Sequence, residues 1–320
     1  MDASGDEGAV WRGDEDGVDN VPHRREDSGR PAAGGGAMSI KCVVLDFDGT
    51  FTDVEKEAGP FVDVFQRDIA DLVGRDITAA WQRLTALVQA EPESHGWEYG
   101  GKIVAPANAD PYVRCTCVAQ LLFTELGLLK NAETRSVVTQ AVYQKAYKLT
   151  LTAFRPDASE VLRTILARKL PTFVVTNART DMVLRKLKEL GFENTPGLQV
   201  FGEAHKFVIT EAETHDPRFQ ALPQERRVDG LTARPVFVRR GRYFDVLSKV
   251  WQLSGASPSE TLVCGDIFEL DLAMPAELGA HVQLVGRPDT ARYEKNAVAA
   301  LGSRGGFSEH LSAVLERLPR

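Results

Sequence analysis

Two acidic residues stand directly after one of the most apolar short segments of the chain. Residues 43–45 read VVL, which predicts a buried strand, and Asp46 and Asp48 follow at once. Gly49 and Thr50 come next. A carboxylate at such a strand end can attack an electrophile, transfer a proton or bind a metal ion. The spacing therefore marks this strand end as a candidate reaction centre.

Two later apolar segments also end in polar residues. Thr176 and Asn177 follow residues 173–175, and Asp266 follows the segment TLVCG, with Asp271 a little further on. In open α/β proteins, ligands bind beyond the carboxyl ends of the parallel strands. We therefore expect these side chains to meet at the same edge of a sheet as the first two aspartates.

Carboxylates that come from separate strands to one site repel each other, and their removal from water raises the free-energy cost of keeping them ionised. A hard divalent cation with oxygen ligands would offset that repulsion. Mg²⁺ commonly takes one or two carboxylates together with phosphate oxygens of a substrate. The acidic strand ends Asp46, Asp48 and Asp266 therefore favour Mg²⁺ and phosphoryl-transfer chemistry.

The elements that must position these residues alternate along the chain. Strands are predicted over residues 40–46, 173–175, 198–201, 261–264 and 281–285. Helices are predicted over residues 157–169, 181–190, 243–253 and 271–279, and most of residues 54–153 also has a helical pattern. Strands that are apolar throughout and alternate with helices predict a doubly wound α/β fold with a parallel sheet covered on both faces.

Three segments resemble the motifs of one known family. The run from Asp46 to Thr50 (DFDGT) resembles the D-x-D-G-T signature of the haloacid dehalogenase-like superfamily. Residues 174–177 (VVTN) are similar to its second motif, and residues 263–266 (VCGD) with Asp271 resemble its fourth. The resemblance covers roughly residues 40–53, 154–192 and 243–287.

The resemblance implies a role for each acid. Asp46 would be the nucleophile that forms an aspartyl-phosphate, and Asp48 would act as general acid and then general base. Mg²⁺ would be held by Asp46, the backbone carbonyl of Asp48 and Asp266. Asp271 would either join the metal ligands or hold the loop that carries Asp266. An acid at position 48 is typical of the phosphate-processing members rather than of the dehalogenases.

The third motif departs from the family pattern. Members of the family place a cation there, most often in a Lys-Pro pair ahead of the helix that precedes the fourth strand, and no such pair occurs here. Arg240, just ahead of that helix, and Lys206, after the third strand, are the two candidates, and we prefer Arg240. Thr176 and Asn177 would bind the phosphate group of the substrate together with Lys206.

The same resemblance predicts the domain organisation. Residues 38–53 and 154–320 would form the α/β core, and residues 54–153 would form an inserted helical cap. Within the cap, residues 95–102 (HGWEYGGK) break the helical pattern, as either a loop that closes over a substrate or a plain surface loop. Residues 1–37 carry nine acids, four arginines and almost no apolar side chains, which predicts a disordered tail.

These observations predict a Mg²⁺-dependent phosphatase that hydrolyses a small phosphorylated metabolite. A phosphomutase on the same scaffold and a non-catalytic phosphate-binding or regulatory protein are the alternatives. The net charge of −7 is mostly carried by the tail and implies no basic surface, so we expect no nucleic acid as partner. No run of 18 apolar residues occurs, so we expect no membrane partner. Four scattered cysteines suit a reducing, cytoplasmic location, and the oligomeric state stays open.

Removal of residues 1–37 should leave the melting temperature nearly unchanged, because that segment has almost no apolar surface to bury. Calorimetry of the full-length and shortened chains checks this expectation. A clear fall in melting temperature on shortening would contradict it and would show that the tail packs on the folded protein.

Overall fold

The computed structural model describes residues 40–91 and 93–319, and its centre is a six-stranded parallel sheet. The strands in spatial order are β10 (Gly305–Ser308), β9 (His281–Val285), β8 (Thr261–Gly265), β1 (Cys42–Leu45), β4 (Thr172–Val175) and β5 (Leu198–Phe201). In register, Val44 pairs with Val263 of β8 on one side and with Phe173 of β4 on the other. The strand with the two aspartates is therefore central in the sheet.

Alternate residues of these strands pack into two separate hydrophobic cores. Val44 and its neighbours pack with one layer, whose main helix is α8 (Gly241–Ser254). Leu45 and its neighbours pack with α5 (Ala158–Ala167) and α6 (Thr180–Glu189) on the opposite face. A sheet that is buried on both faces accounts for strands that are apolar throughout.

Residues 54–153 contribute four helices and a third hydrophobic cluster. The helices are α1 (Val54–Val73), α2 (Thr78–Ala90), α3 (Pro111–Glu125) and α4 (Ala132–Tyr147). Gly74, with φ of 72°, ends α1, and α2 begins four residues later. Between α2 and α3 lies an antiparallel hairpin, β2 (Gly96–Tyr99) and β3 (Lys102–Pro106).

The connection from β5 to α8 is long and carries its own structure. It contains the short helix α7 (Pro217–Gln220) and a second antiparallel hairpin, β6 (Glu225–Val228) and β7 (Leu231–Phe237). Beyond β8, the chain passes through a π-helical turn, Phe268–Leu272, into α9 (Ala273–Glu277). The remaining helix, α10 (Arg292–Ala299), lies between β9 and β10, and three 3₁₀ turns cover Pro258–Glu260, Gly302–Arg304 and Leu311–Arg317.

The predicted fold class is confirmed, since the sheet is parallel, doubly wound and covered by helices. The sequence pattern did not predict β10 or either hairpin, and residues 95–102 form part of the first hairpin rather than a loop. The division into core and cap stays a prediction, because residues 38–320 form a single compact unit. The tail predicted over residues 1–37 lies outside the described residues. None of the helices in the described part combines the length and apolar character needed to cross a bilayer.

Candidate active site

Three carboxylates from two neighbouring strands converge at the carboxyl edge of the sheet. Asp46 follows β1, and its backbone N–H donates to the carbonyl of Cys264 at 2.8 Å, which keeps the two strand ends together. Oxygens of Asp46, Asp266 and Asp271 all lie within 4.8 Å of one another, and the three residues are buried. We call these three residues the acidic triad.

Two glycines allow the acidic triad to pack this closely. A Cβ atom on Gly49 would stand 2.2 Å from Oδ2 of Asp266, and the φ of Gly49 is +80°. A Cβ atom on Gly265 would stand 2.4 Å from Cβ of Asp271. Any larger side chain at either position would therefore displace a carboxylate of the triad.

Lys206 supplies the positive charge next to the triad. Its Nζ lies 2.6 Å from Oδ1 of Asp46 and 2.8 Å from Oδ1 of Asp271, and the side chain is 1% exposed. Burial alone would lower the pKa of Lys206, but the carboxylates of Asp271 and Asp46 raise that pKa above its usual value. Positive φ angles at Glu203 (53°) and His205 (46°) form the turn that precedes it.

The other candidate cation, Arg240, does not reach the carboxylates. Its buried guanidinium donates to the backbone oxygens of Lys206, Val104 and Phe237 at 2.6, 2.9 and 3.1 Å. Burial lowers the pKa of Arg240 to about 10. This arrangement corrects the sequence-based preference for Arg240, because Lys206 contacts Asp46 whereas Arg240 holds the backbone of Lys206 in place.

The acidic triad fits a divalent metal ion. Burial raises the pKa of Asp46 to about 7 and raises that of Asp266 well above its usual value. Oδ1 of Asp266 is buried and has no hydrogen-bond partner among the described residues. Oxygen ligands of this type suit a hard cation, which would stabilise the ionised carboxylates. Both oxygens of Asp271 already accept hydrogen bonds, from Lys206 and from the N–H of Ile267 at 3.0 Å.

Asp48 lies apart from the acidic triad, in an ion-pair chain that the sequence did not predict. Nζ of Lys186, on α6, lies 3.2 Å from Oδ1 of Asp48 and 2.9 Å from Oε1 of Glu57, on α1. The sequence did contain a signal of this contact. Lys186 stands three residues after Val183 and therefore lies on the buried face of α6, where a charged side chain needs a partner. Glu57 similarly interrupts the buried face of α1. The metal ligand expected at Asp48, its backbone carbonyl, stays a prediction.

The two polar residues after β4 also lie at this edge. Thr176 is 1% exposed, and its Oγ1 accepts the N–H of Ala178 at 3.2 Å. Oδ1 of Asn177 accepts the backbone N–H of Lys206 at 2.7 Å. Asn177 therefore orients the lysine loop, which is a contact that its predicted substrate-binding role did not include.

A cavity of about 1000 Å³ lies between this edge and the segment of residues 54–153. We call the helices α1–α4 of that segment, with its hairpin, the helical layer. The cavity is lined by the acidic triad, Asp48, Thr176 and Asn177 on the sheet side and by residues of α3, α4 and the first hairpin on the other. Trp97 of that hairpin lines the cavity and stacks on Phe207, the residue after Lys206, with ring centroids 4.3 Å apart. All the predicted site residues except Lys206 and Arg240 thus line one cavity.

Fold and site together define an α/β protein with a buried acidic cluster at the carboxyl edge of a parallel sheet, facing a cavity under a helical layer. The chain belongs to the haloacid dehalogenase-like hydrolase family, whose model matches residues 40–279. The resemblance that the sequence motifs indicated is thereby confirmed, and the protein is a hydrolase of this superfamily.

Similar solved structures include two bacterial proteins of low sequence identity. One is a predicted phosphoglycolate phosphatase from Haemophilus somnus, with 13% identity over 88% of this chain and 99% of that chain and a TM-score of 0.47. The other is a subfamily IA hydrolase of the superfamily from Geobacter sulfurreducens, with 16% identity over 89% of this chain and 99% of that chain and a TM-score of 0.46. No curated protein matches the chain.

The raised pKa values predict how metal binding depends on pH. The usual pKa of an aspartate is 3.8, and that of folded Asp46 is about 7. Between these two pH values, folded Asp46 retains a proton that the unfolded chain has released, so the free energy of unfolding of the metal-free protein falls as the pH rises. Metal binding requires the ionised carboxylates, so the rise in melting temperature caused by saturating Mg²⁺ should be larger at about pH 8 than at about pH 5.5. Calorimetry at both pH values measures it. Asp266→Asn, the control, should lose the shift, and an equal shift at both pH values contradicts the expectation.

Proposed function

We propose that the protein is a Mg²⁺-dependent phosphatase that hydrolyses a small phosphomonoester through an aspartyl-phosphate intermediate. One observation carries the proposal: within the acidic triad, the buried carboxylate of Asp46 contacts the Lys206 ammonium, and a second acid, Asp48, lines the same cavity. A nucleophile, a fixed cation, a candidate metal site and a proton donor therefore stand together.

In the first half-reaction, a carboxylate oxygen of Asp46 attacks phosphorus as the bond from phosphorus to the leaving oxygen breaks. Asp48 gives its proton to that oxygen, so the product leaves as an alcohol. The Lys206 ammonium contacts Asp46 and would compensate the negative charge of the nucleophile during this attack. Thr176 is placed to donate its hydroxyl to a phosphate oxygen, because it lines the same cavity.

In the second half-reaction, Asp48, now ionised, takes a proton from water. The water oxygen attacks phosphorus, the bond to Asp46 breaks, and inorganic phosphate leaves with both aspartates restored. Lys186, which contacts Asp48, and Glu57 hold this carboxylate at the cavity wall between the two half-reactions.

Asp46, Asp266 and the backbone carbonyl of Asp48 would hold Mg²⁺, with Asp271 anchoring Lys206 and the loop after β8. When bound, Mg²⁺ supplies positive charge to the nucleophile and to the phosphoryl oxygens. The unpartnered Oδ1 of Asp266 supports this assignment.

We further propose a small phosphorylated metabolite as substrate, without nucleic acid or membrane partners. The cavity of about 1000 Å³ stands at the upper end of the range of about 300–1000 Å³ that is common for small-molecule sites, which leaves room for a sizeable leaving group. The four cysteines are buried and unpaired, which supports a cytoplasmic location.

The two alternatives differ in what supports them. The missing Lys-Pro pair motivated a non-catalytic protein, and the contact of Lys206 with Asp46 supports the catalytic proposal instead. A phosphomutase shares every feature of the site, but it requires a bisphosphate to prime it, and no specific contact favours it.

Purified full-length protein with Mg²⁺ should release phosphate from a generic aryl phosphate, and EDTA should abolish the release. Asp46→Asn removes the attacking charge with little change in shape, so it should lower turnover on the order of 10³-fold or more. Asp181→Asn, the same change at a surface carboxylate that pairs with Arg179, is the matched control and should retain full turnover.

Three outcomes would contradict the proposal. An Asp46→Asn variant that keeps more than about a tenth of the turnover excludes Asp46 as nucleophile. No turnover by wild type over a panel of phosphate esters favours the non-catalytic alternative. Activity that appears only when a bisphosphate is added favours the mutase.

Lys206 and Arg240 should differ in what they disturb when each is replaced by methionine. Lys206→Met removes the charge next to the nucleophile, so kcat should fall by about 10²–10³-fold. Arg240→Met leaves two buried carbonyl oxygens, of Lys206 and Val104, without this donor, at about 1–3 kcal/mol for each unsatisfied group, so its main effect should be a lower melting temperature. Turnover and melting temperature are measured for both. If the folded Arg240→Met variant loses turnover while Lys206→Met keeps it, the assignment reverses.

A further inference from the structure

The turn after β8 has to hold two of the three triad carboxylates without regular helical support. Asp266 stands at its start and Asp271 within the π-helical turn Phe268–Leu272. Such turns are rare and are often found at functional sites. The two carboxylates repel each other, so some other contact must fix the backbone of this turn.

Glu269 lies between these two aspartates in sequence and makes one such contact, in addition to the hydrogen bonds from the Phe268 N–H to Glu294 and from the Tyr243 hydroxyl to the backbone oxygen of Asp271. It is 0% exposed and accepts two hydrogen bonds from Arg234, each 2.7 Å long. The hydroxyl of Tyr293, on α10, donates to Oε1 of Glu269 at 2.6 Å. Three charged or polar donors thus converge on one buried side chain of the turn.

Arg234 comes from the hairpin β6–β7, inside the long connection between β5 and α8. Its Nε also donates to the backbone oxygen of Glu93 at 3.2 Å, just ahead of the first hairpin. The Glu93 carboxylate in turn accepts the backbone N–H groups of Thr232 and Ala233 at 3.0 and 3.3 Å. The guanidinium of Arg234 therefore connects the turn that carries Asp266 and Asp271 to the hairpin β6–β7 and to the backbone at Glu93.

We propose that Arg234 and Tyr293 are positioning residues for the metal site. Through Glu269 they fix the turn so that Asp266 presents its oxygens to the ion while Asp271 anchors Lys206. The inference rests on the proposed Mg²⁺ site. Neither Arg234 nor Tyr293 belongs to the acidic triad, and Arg234 lies in the segment where the third motif departs from the family pattern.

The chemistry of the arginine explains why this residue type is needed. A guanidinium offers a rigid planar fork that fixes the orientation of a carboxylate through two parallel bonds. A lysine keeps the charge that compensates buried Glu269, but it cannot make the fork. Arg234→Lys should therefore fold and leave the turn less precisely held, and Tyr293→Phe removes a single donor.

Calorimetric titration of the full-length protein with Mg²⁺ alone tests the inference. Arg234→Lys and Tyr293→Phe should each raise the Kd for Mg²⁺ about tenfold or more, as loss of groups that orient metal ligands commonly does. Arg226→Lys is the matched control, because Arg226 lies in the same hairpin but pairs with Glu277 of α9. Its Kd should stay within about twofold of wild type, since Glu277 holds no metal ligand. Melting temperatures without Mg²⁺ are measured for every variant.

Two results would overturn the inference while the proposed metal site stands. One is an unchanged Kd in Arg234→Lys and Tyr293→Phe, with or without a lower melting temperature, which indicates a merely structural contact. The other is an equal rise in Kd for Arg226→Lys, which indicates a general effect of the hairpin. If wild type binds no Mg²⁺, or if Asp266→Asn binds it equally well, the proposed metal site itself fails, and the positioning role fails with it.

Discussion

The ion pairs of Lys206 with two aspartates are the interaction on which the rest of the site depends. Three buried carboxylates within 4.8 Å of one another repel, and burial costs each charge several kcal/mol. The single ammonium at 2.6 Å from Asp46 and 2.8 Å from Asp271 offsets part of that cost. Lys206 and the nearby Arg287, which also pairs with Glu294, bring fewer positive charges than the carboxylates they face, so the site is left with an affinity for further positive charge.

Several neighbouring features have a physical reason in this constraint. Gly49 and Gly265 lack side chains because a Cβ atom would collide with Asp266 or Asp271. Arg287 is buried, with Nη1 3.6 Å from Oδ2 of Asp266, and pairs with Glu294 at 2.9 Å, which adds a second positive charge next to the triad. The sheet edge is therefore surrounded by buried ion pairs, each of which would be costly to leave with one partner alone.

The helical layer is part of the same arrangement. Glu57 on α1 reaches Asp48 through Lys186, and Val104 of the first hairpin accepts a hydrogen bond from Arg240, which also holds the backbone of Lys206. Contacts of the helical layer are thus shared with the catalytic candidates themselves. These contacts agree with the single compact unit that contains the described residues, although 126 residues separate β1 from β4.

The sequence by itself determined five of the six strands of the sheet, their carboxyl ends and the polar residues there, because these follow from local patterns. An apolar run of four or five residues predicts a strand, and the next polar residue necessarily stands at its end, as for Asp46, Thr176 and Asp266. Only the tertiary structure decided which cation meets Asp46, since Lys206 lies 160 residues away along the chain. The contacts of Lys186 with Asp48 and of Arg234 with Glu269 likewise join residues that are far apart along the chain. Periodicity records which face of an element is buried, but a pairing of buried charges depends on how distant segments pack, and no local pattern carries that information.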